Sequence, residues 1–575
     1  MGTTGITNQR VAEVLYEIAD LLETKSVRFK PIAYRKAAKA VMDLREDIGT
    51  VTNRGDLETI PGVGEHIGAK IHELVTTGNL PYLESLRKEI PEGLVELAGI
   101  EGIGPKRATL LNRELGISDI QGLEEAAKAG KIRTLPGFGE RSEQKLLHAI
   151  RLRQESKGRF LLGDILPVAD EIVRQLASHP SARQVTIAGS ARRRKETIGD
   201  LDLLATSPEP EGVMDLFSTL PAVRRIVGKG PTRSTVVLAS GLQVDLRVVA
   251  EASFGAALQY FTGSKDHNIA LRRRASEKNW RLNEYGLTDL ADGRVVAGSS
   301  EEEVYRALGL LLIPPELREN RGEIEAAEEG TLPALVGYDA VKGDLRVRSS
   351  WSSGSLPLTK IALAAKEMGY SYLAVCDHAK DAGIPRGLTA EDVATQQKEI
   401  EGINRVLDDF SILSGIECSI MHDGKLNLPS SVLDDLDIVI AGIHTGFSAP
   451  EKEMTRRLVA AIHNDSVDVL AHPTGRIIGK RDPVQADISA VSYAAAATGT
   501  LLEIDACRNR LDLTDENCRL AKERHARFSI GTGARDAGEL QDMHLGIATA
   551  RRGWLGAADI ANTLPEKDLR TLLGR

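Results

Sequence analysis

Three times in its first 150 residues the chain repeats one pattern: an apolar residue, a glycine–apolar–glycine turn, and the start of a helix. The copies are IPGVGEHIGAKI (60–71), IEGIGPKRATLL (100–111) and LPGFGERSEQKL (135–146). The paired glycines, Gly62 and Gly64, Gly102 and Gly104, Gly137 and Gly139, let the backbone come close to a ligand. They also leave helix-start amides aimed outward, an arrangement that suits a phosphate. One copy alone would fit an ordinary helix connection. Three in the same register, each followed by Lys or Arg such as Lys106, point to a surface that grips a phosphate backbone without reading bases.

This repeat resembles the helix-hairpin-helix motif, which implies DNA as the partner. A net charge of -9 over 575 residues argues the other way only if charge is uniform. It is not: AYRKAAKA, GPKR, ARRRK, RRIVGKGPTR and LRRRASEKNWR all precede residue 285, while acids crowd PPELRENRGEIEAAEEG (314–330). Local basic clusters are what neutralise phosphates. No apolar run reaches the roughly 18 residues that span a bilayer. The four cysteines lack metal-knuckle spacing, and MGTTGITNQR lacks a signal-peptide pattern. A cytoplasmic monomer without membrane contact is expected.

Beyond residue 155 the periodicity shortens. VTIAGS, DLDLLAT, STVVLAS and LQVDLRVVA read as short strands, residues 253–315 as mostly helical, and the last third as strands alternating with helices. In a strand, residues i and i+2 share a face, so Asp200 and Asp202 project together. Asp245 is a third acid inside an apolar strand, where a carboxylate is costly unless paired or metal-bound. If the two strands are neighbours, the three carboxylates suit Mg²⁺ or Mn²⁺ and an in-line phosphoryl displacement.

GSARRRKETIGDLDLLA, QVDLRVV and YFTGSKDHN together resemble the family X DNA polymerases, of the bacterial type with a C-terminal polymerase-and-histidinol-phosphatase (PHP) domain. The resemblance implies a multidomain fold: a helical lyase-like domain (1–80), a helix-hairpin-helix subdomain (81–155), an α+β nucleotidyltransferase palm (156–252), and a small thumb-like α/β subdomain (253–315). A linker (316–335) and a PHP domain built as a distorted βα barrel (336–575) complete it. It implies that Asp200, Asp202 and Asp245 are the catalytic metal ligands. Gly189, Ser190, Arg193 and Gly199 would hold the phosphates of a deoxynucleoside triphosphate, Tyr260, Phe261 and Gly263 would flank its sugar, and Asn268 would meet the base. Arg272 falls on the template side and Glu284 in the same closing subdomain. Lys265 departs from the pattern, standing where polymerase beta has Asp. The expected activity is gap filling on gapped or nicked DNA in repair. Lys70 falls at the Schiff-base position of a 5′-deoxyribose phosphate lyase, although a lysine on a DNA-binding helix also serves as a plain phosphate contact, and His66 replaces its supporting lysine.

The PHP resemblance fails at its metal motifs. DLRVRSSWSSG carries Arg346 and Arg348 where histidines are usual and Ser353 where an acid is, and GTGARD supplies Gly533 and Arg535. His378, Glu417, His444 and His472 survive. Arginine has no lone pair to give a metal, which weighs against a trinuclear exonuclease site. The survivors would hold one metal or remain as hydrogen-bonded groups, and the arginines could grip DNA backbone. The alternatives are a dual polymerase and 3′–5′ exonuclease, or a non-catalytic DNA-end scaffold, which would have no need of three carboxylates. A small-molecule nucleotidyltransferase would have no need of the hairpins.

Overall fold

The computed structural model describes residues 6–574 except 7, 25–26, 28, 43, 45, 90–92, 95–96, 98–99, 101–102, 157 and 382–385. Helices Glu65–Thr77, Pro105–Leu115 and Glu140–Ser156 begin directly after Gly64, Gly104 and Gly139. Gly62 and Gly137 take φ of +87° and +81°, the left-handed turn that a side chain would strain. Gly102 lies outside the described residues. Each helical module has its own core, one around Leu15, Ile18, Val41 and Ile71, the other around Ile103, Leu111, Leu123 and Leu146.

The palm is a five-stranded sheet in the order Gln184–Ile187, Asp200–Thr206, Gln243–Val249, Arg233–Leu238, Val223–Lys229. Period-2 alternation explains its two faces. Leu201, Leu203 and Ala205 enter a core with the helix Leu162–Ala177, while Leu204 packs against Ala257 and Leu258 of the helix Phe254–Thr262. The acids of DLDLLAT share the face of Leu204, toward the subdomain that follows. That subdomain adds the helix Lys265–Glu277 and a three-stranded antiparallel sheet spanning Trp280–Asn283, Gly286–Asp289 and Val295–Ala297.

The stretch 316–335, which the sequence marks as a linker, corrects that expectation. It contains the helix Glu323–Glu329, and Leu317, Ile324 and Ala327 complete the core of the thumb-like subdomain. Its acids are drawn in by counter-charges rather than left in solvent. Glu316 meets Arg551 (2.7 Å), Glu319 meets Arg193 (3.0 Å), and Glu323 meets the ring of His267 (2.6 Å).

Seven parallel strands follow in sequence order from Gly343–Val347 to Phe528–Gly531. A parallel bridge between Val347 and Ala534 joins the first strand to the end of the last, so the sheet is a nearly closed barrel. All seven strands are almost wholly buried, as a parallel sheet flanked by helices requires. The barrel docks on the palm through Arg476–Glu196 (2.6 Å) and Arg508–Asp164 (3.3 Å).

Inside the thumb-like subdomain, Glu301 is buried between Arg192 (2.6 Å) and Arg318 (2.5 Å). Burial pushes its carboxyl up, but Arg318 and Arg192 outweigh burial and hold it down to about 2. Its contribution is therefore complete above the ordinary value of 4.5 and is lost as pH falls through about 2. Glu301→Gln should cost about 3 kcal/mol at pH 7 and flatten the fall in stability between pH 5 and 2, read by urea unfolding at each pH.

Candidate active site and a second charged cluster

A cavity of 340 Å³ opens where the palm meets the thumb-like subdomain. It is lined by Gly189, Ser190, Arg193, Asp200 and Asp202 from the palm, and by Tyr260, Phe261, Gly263, Lys265, Asn268 and Arg272 from the helices beyond. Thr262, which the sequence did not single out, lines it as well. Gly189 takes φ of +60°, and a Cβ there would run into the Asp202 carboxylate. Glycine is thus required by both conformation and space at the turn that carries Ser190.

The strands Asp200–Thr206 and Gln243–Val249 are parallel neighbours, with Asp202 paired directly to Asp245. The neighbour relation that the three-acid reading needs is therefore met. Asp245 is buried and accepts from the Thr235 hydroxyl, from Gln243 Nε2 (2.8 Å) and, at the edge of range, from Arg233 (3.5 Å). Burial first, then the Asp200 and Asp245 carboxylates, push Asp202 up to about 7. Asp200, Asp202 and Asp245 lie close enough to repel one another, and a site with one carboxyl so reluctant to ionise would suit a hard divalent cation.

Arg193 enters the cavity between two anchors: Nη1 donates to the Thr262 carbonyl and Nε to Glu319 (3.0 Å). Tyr260 and Phe261 meet edge to face at 5.2 Å, and Arg247 lies 4.4 Å from the Phe261 ring centroid. Asn268 donates to the Tyr260 carbonyl (2.7 Å) and accepts from Gln259 (2.7 Å), which fixes its amide at the cavity wall. Lys265 opens its helix after the Ser264 cap. Gly199, Asp245 and Glu284 are outside the lining: Gly199 precedes Asp200, Asp245 stands beside Asp202 on the neighbouring strand, and Glu284 sits in the turn between two strands of the small sheet.

On the helical modules, Lys106 projects into solvent with Glu23 at 2.7 Å. The Lys70 ammonium donates to the His66 carbonyl (3.1 Å) and stands 4.7 Å over the Tyr82 ring. That exposed placement serves a phosphate contact and a Schiff-base amine equally.

A second cluster occupies the carboxyl ends of the barrel strands. His378, His444 and His472 all address one oxygen of Glu417, at 3.6, 2.8 and 3.2 Å. His378, Glu417 and His444 offer ligand atoms within 4.8 Å of one another. Arg348 approaches the other Glu417 oxygen (2.6 Å) and the His378 ring (2.6 Å). Arg346 reaches Glu503 (2.5 Å), Asp505 (2.9 Å) and Glu417 (3.4 Å). Glu503 and Asp505 were not singled out in the sequence, although E-I-D at a strand end repeats the i, i+2 acid pattern of the palm. Burial raises Glu417, but Arg348 and the neighbouring histidines hold it well below its ordinary range. Burial, then Arg348, lowers His378 to about 4.

These guanidinium groups stand among the carboxylates that metal ions would need, so the donor set does not fit a trinuclear metal group. Nor do the arginines reach outward for DNA: Arg346 and Arg348 are 4% and 6% exposed, and the cluster's own acids neutralise them. The backbone-gripping role expected for them is corrected on that ground.

Comparison with known proteins covers nearly the whole chain. The model described as "DNA polymerase beta thumb" matches residues 257–319, "Helix-hairpin-helix domain" matches 6–80, and "SAM-like Helix-hairpin-helix tandem" matches 94–152. The chain is 38% identical to "DNA polymerase/3'-5' exonuclease PolX" of Bacillus subtilis over 98% of its own length and 99% of that protein's. It belongs to the family X DNA polymerases. It is also 25% identical to DNA polymerase lambda of Rattus norvegicus, over 53% of this chain and 55% of the other. A protein of Thermoanaerobacter sp. (strain X514) named a probable phosphatase is 30% identical over 31% of this chain and 71% of its own. As a polymerase of this family the chain is a metal-dependent nucleotidyltransferase acting on DNA and nucleotides. Among the described residues no helix is long and apolar enough to cross a membrane.

Because a proton competes for Asp202, apparent affinity for Mn²⁺ should rise about tenfold per pH unit up to 7 and level off above it. Calorimetric titration from pH 5.5 to 8.5 checks this, and a flat profile would contradict it. Arg346→Ala would leave Glu417, Glu503 and Asp505 without their shared cation. It should destabilise the chain by about 3–5 kcal/mol, measured by chemical unfolding.

Proposed function

We propose that this polymerase fills short gaps in nicked or gapped DNA during repair, using Mg²⁺, and acts as a cytoplasmic monomer. The observation that carries the reading is the register of Asp202, which lines a cavity together with Asp200, Ser190, Arg193 and the pair Tyr260 and Phe261, against Asp245 on the neighbouring strand. Asp200, Asp202 and Asp245 would hold the metal, which would supply charge neutralisation to the phosphates and the primer 3′-oxygen.

The chain's own groups then do the positioning. Ser190 and the amides around Gly189 hold the distal phosphates, with Arg193 crossing to the same place. Tyr260 and Phe261 crowd the sugar and favour deoxyribose. Asn268 meets the base edge, Lys265 adds a positive charge near the phosphates, and Arg272 faces the template. The exposed glycine turns at Gly62, Gly64, Gly104, Gly137 and Gly139 grip the DNA backbone on either side of the gap. Catalysis of this kind rests on alignment and charge neutralisation rather than on a covalent intermediate.

The barrel is read as having no exonuclease activity, because arginines stand among its carboxylates. The test is extension of a primer across a one-nucleotide gap, with 3′-end degradation followed in parallel. Wild type should extend and Asp200→Ala should lose at least about a thousandfold in rate, while neither shortens the primer. Extension that survives in Asp200→Ala would remove the central assignment; metal-dependent shortening lost in His444→Ala would restore the exonuclease.

A further inference from the structure

At the junction of palm, thumb-like subdomain and barrel, Glu319 is an acid that two domains share. Glu319 Oε1 accepts from Arg193 Nε at 3.0 Å and from Arg552 Nη1 at 3.1 Å. Arg193 comes from the palm, Glu319 from the segment ending the thumb-like subdomain, and Arg552 from the last turn of the barrel helix Met543–Arg552. The same Arg552 Nη1 also donates to the backbone carbonyl of Arg193 (2.9 Å), while Nη2 is anchored on Asp515 (2.6 Å). Arg552 is 6% exposed, and nothing in the chemistry of the barrel cluster calls for it there.

An arginine that must meet a triphosphate needs its guanidinium held across the cavity before the nucleotide arrives, because a free side chain loses rotamer entropy on binding. Arg193 is held at its Nη1 by Thr262, at its Nε by Glu319 and at its own carbonyl by Arg552. One of those three anchors belongs to the barrel, and a second, Glu319, is itself held by Arg552.

We propose that Arg552 of the barrel is a positioning residue for nucleotide binding: through Glu319 and the Arg193 carbonyl it holds the phosphate-facing Arg193 in place. The barrel, which has arginines where its metals would sit, is thereby a structural part of the polymerase's nucleotide site. This rests on the reading of Arg193 as a triphosphate contact.

The test uses the full-length protein, a one-nucleotide-gap substrate and single-turnover kinetics over a range of deoxynucleotide concentration. Arg552→Ala should raise the apparent nucleotide Kd about tenfold, as expected for loss of one charge-assisted contact. The maximal rate should change less than about twofold and the affinity for gapped DNA should be unchanged. Arg552→Lys should recover most of the loss. Glu319→Gln, which preserves shape, should reproduce the Kd effect and keeps the test open if Arg552→Ala does not fold. The decisive comparison is the double variant Arg193→Ala/Arg552→Ala. If Arg552 acts through Arg193, its removal adds nothing once Arg193 is gone. Additive effects, an unchanged Kd in Arg552→Ala or Glu319→Gln, or equal losses in rate and DNA affinity would overturn the proposal. If Arg193→Ala itself leaves nucleotide Kd unchanged, the underlying reading of Arg193 fails instead.

Discussion

A carboxylate taken out of water must be given a cation, and this chain answers that requirement in two ways. In the palm, Asp202 and Asp245 are paired across parallel strands with Asp200 nearby, and Arg233, Arg247 and Arg193 offer partial compensation. The result is a carboxyl pushed up to about 7, an electrostatic deficit that a divalent ion relieves. In the barrel, Glu417, Glu503 and Asp505 form a comparable cluster, and Arg346 and Arg348 supply the positive charge from the chain itself. A guanidinium satisfies the charge but cannot act as a Lewis acid or bind water as a nucleophile. The first site keeps its chemistry available, whereas the second spends its charge internally.

Much of the palm was legible because its signals are local. DLDLLAT fixes which side chains share a face, and Gly-Ser before it marks the turn. The sequence could not say that Gln243–Val249 lies beside Asp200–Thr206, since strand order depends on long-range pairing. It supplied only the condition, and the register meets it. The glycine turns were legible for the same local reason: left-handed Gly62 and Gly137 leave a trace that needs no tertiary partner.

Two places were not legible, and both involve charge. The acidic run 314–330 looked like a solvated connection because sequence shows its charge without its partners. In the fold, Arg551, Arg193, His267 and Arg274 meet its acids, and an amphipathic stretch becomes part of a core. In the barrel, the arginines were seen but their destination was not. Read alone, Arg346 and Arg348 suggested an outward-facing anion site; the acids at 503 and 505, more than 150 residues away in sequence, turn Arg346 inward, and Glu417 does the same for Arg348.

The contrast explains why a barrel filled with arginines can persist beside a polymerase. Breaking a buried ion cluster by removing one partner is costly even where the intact cluster adds little. Once guanidinium groups stand among the carboxylates, the charge balance of the cluster rests on them. The surface of that fold supplies Arg476, Arg508, Arg551 and Arg552 to acids of the palm and thumb-like subdomain. Every one of these contacts puts the barrel's cation on the polymerase's acid. Loss of the barrel would therefore leave Glu196, Asp164, Glu316 and Glu319 each short of one counter-charge. Two of these, Glu316 and Glu319, lie in the segment that runs from the thumb-like subdomain into the barrel. The domain's role in the molecule then follows from the counter-charges it supplies, with or without chemistry of its own.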